Sequence, residues 1–164
     1  MDKAAQGAVI SDSGVYRYDL WRTTVVAEFR RIVWVCLNPS TADASKNDPT
    51  IRRIIGFSES WKFGRVDVVN LFALRATDPK KLRTHADPVG PGNDEAIVEA
   101  CRDAGLVIAA WGADAFAVDR ARHVMRLLAK LPKYPACLAR TKSGAPKHPL
   151  YVRADKQLEP FTLT

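Results

Sequence analysis

One stretch decides the fold of this chain: Ile32-Val33-Trp34-Val35-Cys36-Leu37-Asn38-Pro39-Ser40-Thr41-Ala42-Asp43. It opens as a continuous apolar run rich in β-branched residues, which predicts a strand buried on both faces. The run breaks at Pro39, and proline disfavours helix in the residue before it, so Asn38 should be extended at the strand tip. In an open parallel sheet, ligands bind at the carboxyl ends of the strands. The stretch therefore places Asn38 in a candidate active site.

The rest of the chain alternates predicted strands and helices. Apolar runs at 65–72 and 106–111, and a shorter one at 136–138, predict three more strands. Helices are predicted from Pro49 to near Lys62, after an Asp48 cap, and over 93–101 and 116–131. This order predicts an α/β fold, a three-layer α/β/α sandwich around a mostly parallel four-stranded sheet.

The N-terminal part adds to this core. Residues 8–28 alternate apolar and polar side chains and predict antiparallel strands, within a segment 1–30 packed on the core. No linker divides the 164 residues, so one domain spanning 1–164 is expected. The basic pairs and stripes of the helices are expected on solvated faces; they are Arg52-Arg53, and Arg120, Arg122, Arg126 and Lys130.

The composition favours a nucleic-acid partner. The formal net charge is +7, and cations that neutralise phosphates release counterions. No apolar run approaches the roughly 18 residues of a membrane-spanning helix, and the N-terminus lacks a signal-peptide pattern, so a cytoplasmic protein without membrane contact is expected. The three cysteines are spaced for neither zinc nor an iron–sulfur cluster. We therefore predict a monomer without metal or cofactor.

Polar or special residues follow each predicted buried strand. Asn38, Asn70 and Trp111-Gly112 come at strand ends, and His148-Pro149 lies farther along the chain. Parallel strands bring their carboxyl ends to one edge, so these groups should converge on one pocket. The sequence has no dinucleotide or P-loop fingerprint and no Gly-x-Ser-x-Gly elbow, which disfavours those chemistries.

Four segments resemble, in the right order, motifs of the uracil-DNA glycosylase superfamily. They are Leu37-Asn38-Pro39-Ser40, residues 68–76 (Val-Val-Asn-Leu-Phe-Ala-Leu-Arg-Ala), residues 107–115 (Val-Ile-Ala-Ala-Trp-Gly-Ala-Asp-Ala), and Lys147-His148-Pro149-Leu150. More narrowly, Leu-Asn-Pro-Ser-Thr-Ala-Asp, Asp-Pro-Thr-Ile-Arg-Arg and His-Pro-Leu-Tyr resemble a bacterial family of unknown function, domain-of-unknown-function family 1643. That narrower resemblance covers nearly the whole chain and implies no activity.

The superfamily resemblance implies a uracil-DNA-glycosylase-like fold and a monofunctional DNA glycosylase of base-excision repair. Such an enzyme hydrolyses the N-glycosidic bond of an extruded uracil or another deaminated or modified base. The resemblance implies that Asn38 holds the attacking water, Asn70 reads the base edge and His148 stabilises the departing base. Asp43 is the substitute catalytic residue if Asn38 is inert. The remaining implied residues are Phe72 or Phe57 for base stacking, and Ser40, Lys142, Ser143, Lys147, Leu150 and Tyr151 for backbone contacts or a wedge.

Departures from the superfamily pattern leave two alternatives open. Cys36-Leu37 replaces the glycine that usually opens the first motif, and Ser40 replaces an aromatic residue or glycine. Leu150 stands where the third residue of the His-Pro-Ser loop would be serine. The first alternative is a non-catalytic module that binds nucleic acid or a modified base. The second is an enzyme acting on a free nucleoside or nucleotide.

Overall fold

The computed structural model describes residues 6–163, which form one mixed sheet with three α-helices and three short 3-10 segments. The strands are β1 (Gln6–Ile10), β2 (Arg17–Thr23), β3 (Arg31–Cys36), β4 (Arg65–Asn70), β5 (Leu106–Ala109), β6 (Ala136–Cys137) and β7 (Glu159–Pro160). The helices are α1 (Pro49–Ser60), α2 (Asn93–Arg102) and α3 (Val118–Leu128), and the 3-10 segments are Pro79–Arg83, Ala115–Ala117 and Pro149–Tyr151.

The seven strands lie in the order β1-β2-β4-β3-β5-β6-β7. The central β3 pairs in parallel with β4 and β5, and β6 continues the parallel direction beyond β5. At one side of the sheet β2 pairs antiparallel with β4, and β1 pairs antiparallel with β2. At the other side β7 pairs antiparallel with β6. The α/β class is thus confirmed, with a sheet that is larger and more mixed than the four strands predicted. The two-residue β7 was missed because so short a pairing leaves no periodic pattern.

Strand β3 is buried on both faces, as its sequence predicts. Ile32, Val33, Trp34 and Val35 have no exposed surface. Because side chains alternate along a strand, Ile32 and Trp34 pack with α1, while Val33 and Val35 pack in the cluster that contains α2 and α3. The helices therefore cover both faces of the sheet. No helix within residues 6–163 is long and apolar enough to cross a membrane.

The predicted N-terminal strands are confirmed within the described residues. Strands β1 and β2 pair antiparallel, and β2 attaches them to the core through β4. Residues 24–30 form no strand. The expected single domain also included residues 1–5 and Thr164, which lie outside the described residues.

Two helix expectations need correction. Arg120 does not lie on a solvated face of α3, because its side chain is 10% exposed and ion-pairs with Asp94 at 2.6 Å. Its Nε also donates to the Leu71 carbonyl at 2.7 Å. Arg53 likewise donates across to the carbonyls of Pro149 and Val152. These two arginines tie α3 and α1 to the loops at the carboxyl edge of the sheet.

Asp19 of β2 should give the fold a measurable pH dependence. Its Oδ1 is buried without a partner, and burial, followed by the nearby Asp67 carboxylate, raises its pKa above the ordinary 3.8. The folded state therefore keeps this proton to higher pH than the unfolded chain does. Stability should fall as the pH rises above 3.8, by at most about 1.4 kcal/mol per pH unit from this group.

Asp19→Asn should remove that contribution and make the protein more stable than wild type at neutral pH. Urea unfolding at several values between about pH 4 and 8 measures the effect. The exposed Asp12→Asn is the matched control and should keep the wild-type slope. Identical pH slopes for Asp19→Asn and wild type would contradict the assignment.

Candidate active site

A cavity of about 200 Å³ lies at the carboxyl ends of β3, β4 and β5. Asn38, Asn70, Trp111 and His148 all line it, although they are far apart in the sequence. The parallel pairing explains this convergence, since Cys36 of β3 is in register with Asn70 of β4 and both strands end there. The volume is below the roughly 300 Å³ at which drug-sized pockets begin, and so suits a ligand smaller than a drug-sized molecule.

Asn38 is held in one orientation by two hydrogen bonds. Its Nδ2 donates to the carbonyls of Pro39 and Ala76, both at 2.8 Å. Because both partners are carbonyl oxygens, the atom that faces them must be the amide nitrogen and not the amide oxygen. No described residue donates to Oδ1. The side chain therefore offers the cavity a fixed acceptor, which can hold a water molecule or a hydroxyl group but cannot take up a proton.

Asn70 is the most unusual polar group of the cavity. It is 1% exposed, and neither Nδ2 nor Oδ1 has a hydrogen-bond partner among residues 6–163. Its backbone is firmly anchored, because Nδ2 of Asn93, the first residue of α2, donates to the Asn70 carbonyl at 3.1 Å. An unsatisfied buried polar group costs about 1–3 kcal/mol. A ligand that supplies both a donor and an acceptor would recover this loss.

His148 is a neutral donor in this structure. Its Nδ1 accepts from the backbone N–H of Leu150 at 3.2 Å, so the proton of the neutral ring is on Nε2. Burial lowers its pKa below the ordinary 6.5, and the charge of Asp48 opposes that effect more weakly. At neutral pH the ring therefore presents an uncharged Nε2–H.

Two charged residues of the cavity were missed by sequence reasoning. Asp48 caps α1 as predicted, its Oδ1 accepting from Ile51 N at 2.8 Å, and it also lines the cavity. Among the described residues that line the cavity, Asp48 alone carries a carboxylate. Its position at the start of a helix facing the strand ends could have signalled this. Arg17 enters from β2 and is 2% exposed, and the alternating pattern of that strand gave no such signal.

Cys36 also lines the cavity but is not suited to nucleophilic chemistry. Burial raises the pKa of its thiol to about 12, with Arg17 opposing the effect. The thiolate is the reactive form of cysteine, so Cys36 is inert at neutral pH. It acts here as a small apolar wall.

Three of the predicted site residues lie elsewhere. Asp43 does not line the cavity, because its Oδ1 accepts the backbone N–H groups of Ser45 and Lys46, each at 2.9 Å. Those bonds lower its pKa and close a local turn. Phe57 and Phe72 are core residues, stacked on Trp61 and Phe116 at 5.4 and 5.3 Å between ring centroids. The aromatic side chain that lines the cavity is Trp111.

Of the other predicted residues, Ser40 lines the cavity and the rest do not. Leu150 and Tyr151 are 44% and 79% exposed, and the Tyr151 ring centroid is 5.7 Å from that of His148. Lys142 and Ser143 are exposed on the preceding loop, and Lys147 is half-buried. Ser143 borders a separate cavity of about 120 Å³ that shares the Trp111 wall.

Comparison with protein families gives a match that covers most of the chain. A family model described as "Protein of unknown function (DUF1643)" matches residues 17–150. This span begins at Arg17 and ends just after His148, so it contains every residue that lines the cavity. Neither the curated proteins nor the solved structures include a match to the chain.

The state of His148 can be tested by NMR titration. We expect its pKa below 6.5 and the proton on Nε2, because the ring is desolvated and Nδ1 accepts a hydrogen bond. Asp48→Asn should lower this pKa further, since it removes a stabilising negative charge while asparagine still caps α1. Asp114→Asn, at the cap of Ala115–Ala117, is the control and should leave it unchanged. A pKa above 6.5 would contradict the neutral assignment.

Proposed function

The chain belongs to the DUF1643 family of unknown function, and we propose that it is a monofunctional DNA glycosylase acting on an extruded, altered base. The observation that carries this proposal is the buried amide of Asn70, whose donor and acceptor are both unpaired at a cavity of base size. The motif resemblance to the uracil-DNA glycosylase superfamily supports it, and a fold of that superfamily is part of the proposal.

Asn70 supplies base recognition in this proposal. Its Nδ2 donates to a ring carbonyl and its Oδ1 accepts from the neighbouring ring N–H, the pair that uracil and hypoxanthine both present. Base-flipping enzymes read their target in this way, after the base has left the stack. Trp111 provides the aromatic wall against which the base plane lies, in place of the predicted phenylalanines.

The reaction displaces the base from the sugar with water. Asn38 Oδ1 positions the water, and Asp48 accepts its proton as the new bond to the anomeric carbon forms. The electron pair of the broken glycosidic bond goes to the base, where negative charge develops. His148 stabilises that charge by donating Nε2–H to a base oxygen. Asp48 thus supplies the proton acceptor that an asparagine cannot be.

The surroundings of the cavity suit a DNA substrate. The chain has an excess of seven positive charges, which favours binding to a phosphate backbone. Leu150 and Tyr151 are exposed beside His148 and can fill the gap that an extruded base leaves. Lys142 and Lys147 precede them and can contact phosphates.

A binding module without chemistry is the second candidate. Asn38 favours it, because an amide cannot remove a proton from water. Asp48 also favours it, because its Oδ1 is already used by the α1 cap. This candidate keeps the role of Asn70 and omits bond cleavage.

Cleavage can be tested with oligonucleotides that carry uracil, hypoxanthine or other altered bases, followed by alkali to reveal abasic sites. We expect cleavage of at least one such base by the wild-type protein. Asp48→Asn should lower the rate by about a hundred- to ten-thousandfold, because it removes the general base but keeps the cap. Asp114→Asn is the matched control and should retain the wild-type rate.

A second pair of variants tests recognition. Asn70→Ala should abolish both cleavage and selective binding of the altered base, whereas His85→Gln, on an exposed loop, should change neither. Base-selective binding that needs Asn70 but yields no product would support the binding module instead. Affinity for free nucleotides without affinity for DNA would favour a nucleotide-acting enzyme, and no abasic sites across the panel would refute the glycosylase.

A further inference from the structure

Arg17 is a buried cation without an anionic partner. Its side chain makes one hydrogen bond with the described residues, from Nη1 to the Ala42 carbonyl at 2.7 Å. Its Nε is buried and has no hydrogen-bond partner within the described part of the chain. No carboxylate of the described residues lies within ion-pair distance of it. The other buried arginine of β2, Arg22, differs in that its guanidinium donates to five oxygens, the side-chain oxygen of Asn47 and four backbone carbonyls.

The charged groups around Arg17 do not neutralise it. Asp48 is close enough to act on it electrostatically, and Arg22 and Arg75 repel it. Burial lowers its pKa to about 10, so the guanidinium stays charged at neutral pH. A buried charge without a partner is strongly unfavourable and is normally paired or removed. Its presence at the cavity wall indicates a partner that comes with the ligand.

We propose that Arg17 is a specificity-determining residue that binds a negatively charged oxygen on the base itself. This inference rests on the proposed function, which identifies the ligand as a base. It adds that the base carries a negative charge. The anionic oxygen has two sources: a carboxylate or oxide carried by the base, or the ring oxygen that becomes negative as the base departs. In both cases Arg17 prefers the charged form to a neutral one of the same shape.

A phosphate is a poorer partner for Arg17 than a base oxygen. Phosphate sites commonly use the N-terminus of a helix, where free backbone N–H groups point at the anion. The helix that begins at this cavity is α1, and its N-terminus is already capped by the Asp48 carboxylate. A free phosphate would place about two negative charges close to the Asp48 carboxylate, whereas an anionic oxygen on a base read by Asn70 brings only one.

Calorimetric titration with free bases tests this inference without any need for cleavage. The probes are 5-carboxyuracil and 6-carboxyuracil, each beside its neutral carboxamide of nearly the same shape. The wild type should bind the anion of at least one pair roughly ten- to hundredfold more tightly, as expected of hydrogen bonds to a charged group. If the anionic oxygen is the ring oxygen of the departing base, free uracil should bind more tightly as the pH rises toward the pKa at which its ring loses a proton.

Variants then attribute the preference to Arg17. Arg17→Met should abolish the anion preference while keeping the affinity for the neutral partner, and Arg17→Lys should keep the preference. Arg17→Met should also unfold at the same or a higher temperature than wild type without ligand, because it removes an unpaired buried charge. Arg75→Met removes a nearby charge outside the cavity and should keep the preference.

Three results would overturn the inference. The first is the absence of any anion preference or pH effect in the wild type. The second is a preference that survives Arg17→Met, and the third is inorganic phosphate competing as well as the anionic bases. The outcome is separable from that of the cleavage assay: anion preference without cleavage refutes the glycosylase alone, and cleavage without anion preference refutes only the role of Arg17.

Discussion

The parallel pairing of β3 with β4 and β5 is the constraint on which the candidate site depends. Cys36 is in register with Asn70, and Val35 with Ala109, so three strands end at one edge. Only this register brings the Asn38 turn, the Asn70 amide and Trp111 around a shared cavity. Helix α1 completes the site, because it begins at Asp48 and holds the segment after His148 through Arg53.

The cavity also concentrates groups that oppose folding. Asn70 and Arg17 are almost fully buried, and polar atoms of both have no partner. Groups of this kind reduce stability, and their usual explanation in a native protein is a role in binding or catalysis. We propose that together they bind a ligand edge with a donor, an acceptor and negative charge, and that the neutral Nε2–H of His148 donates to the same ligand.

The sequence alone predicts the elements with strong periodic patterns, and it therefore also predicts that Asn38 and Asn70 lie at strand ends. It missed Arg17, because the pairing of β2 with β1 shifts register between Asp19 and Arg17, which breaks the alternation that would otherwise fix the direction of the Arg17 side chain. It placed Phe72 wrongly at the site. Strand β4 ends at Asn70, so side chains no longer alternate between the two faces beyond it, and the Phe72 ring packs in the cluster that contains α2 and α3. Asp48 was predicted only as the cap of α1. Its second position, in the wall of the cavity, was not predicted, because one residue can both cap a helix and line a cavity.

The central claim is that the unpaired amide of Asn70 receives a base in this cavity. It is tested most directly by the NMR signals of the asparagine side-chain amides during titration with free uracil and hypoxanthine. We expect the signals of the Asn70 Nδ2 protons to shift with at least one base, while those of Asn93, which donate to backbone carbonyls, stay in place. Unchanged Asn70 signals at saturating base, or shifts confined to residues outside the cavity, would contradict it.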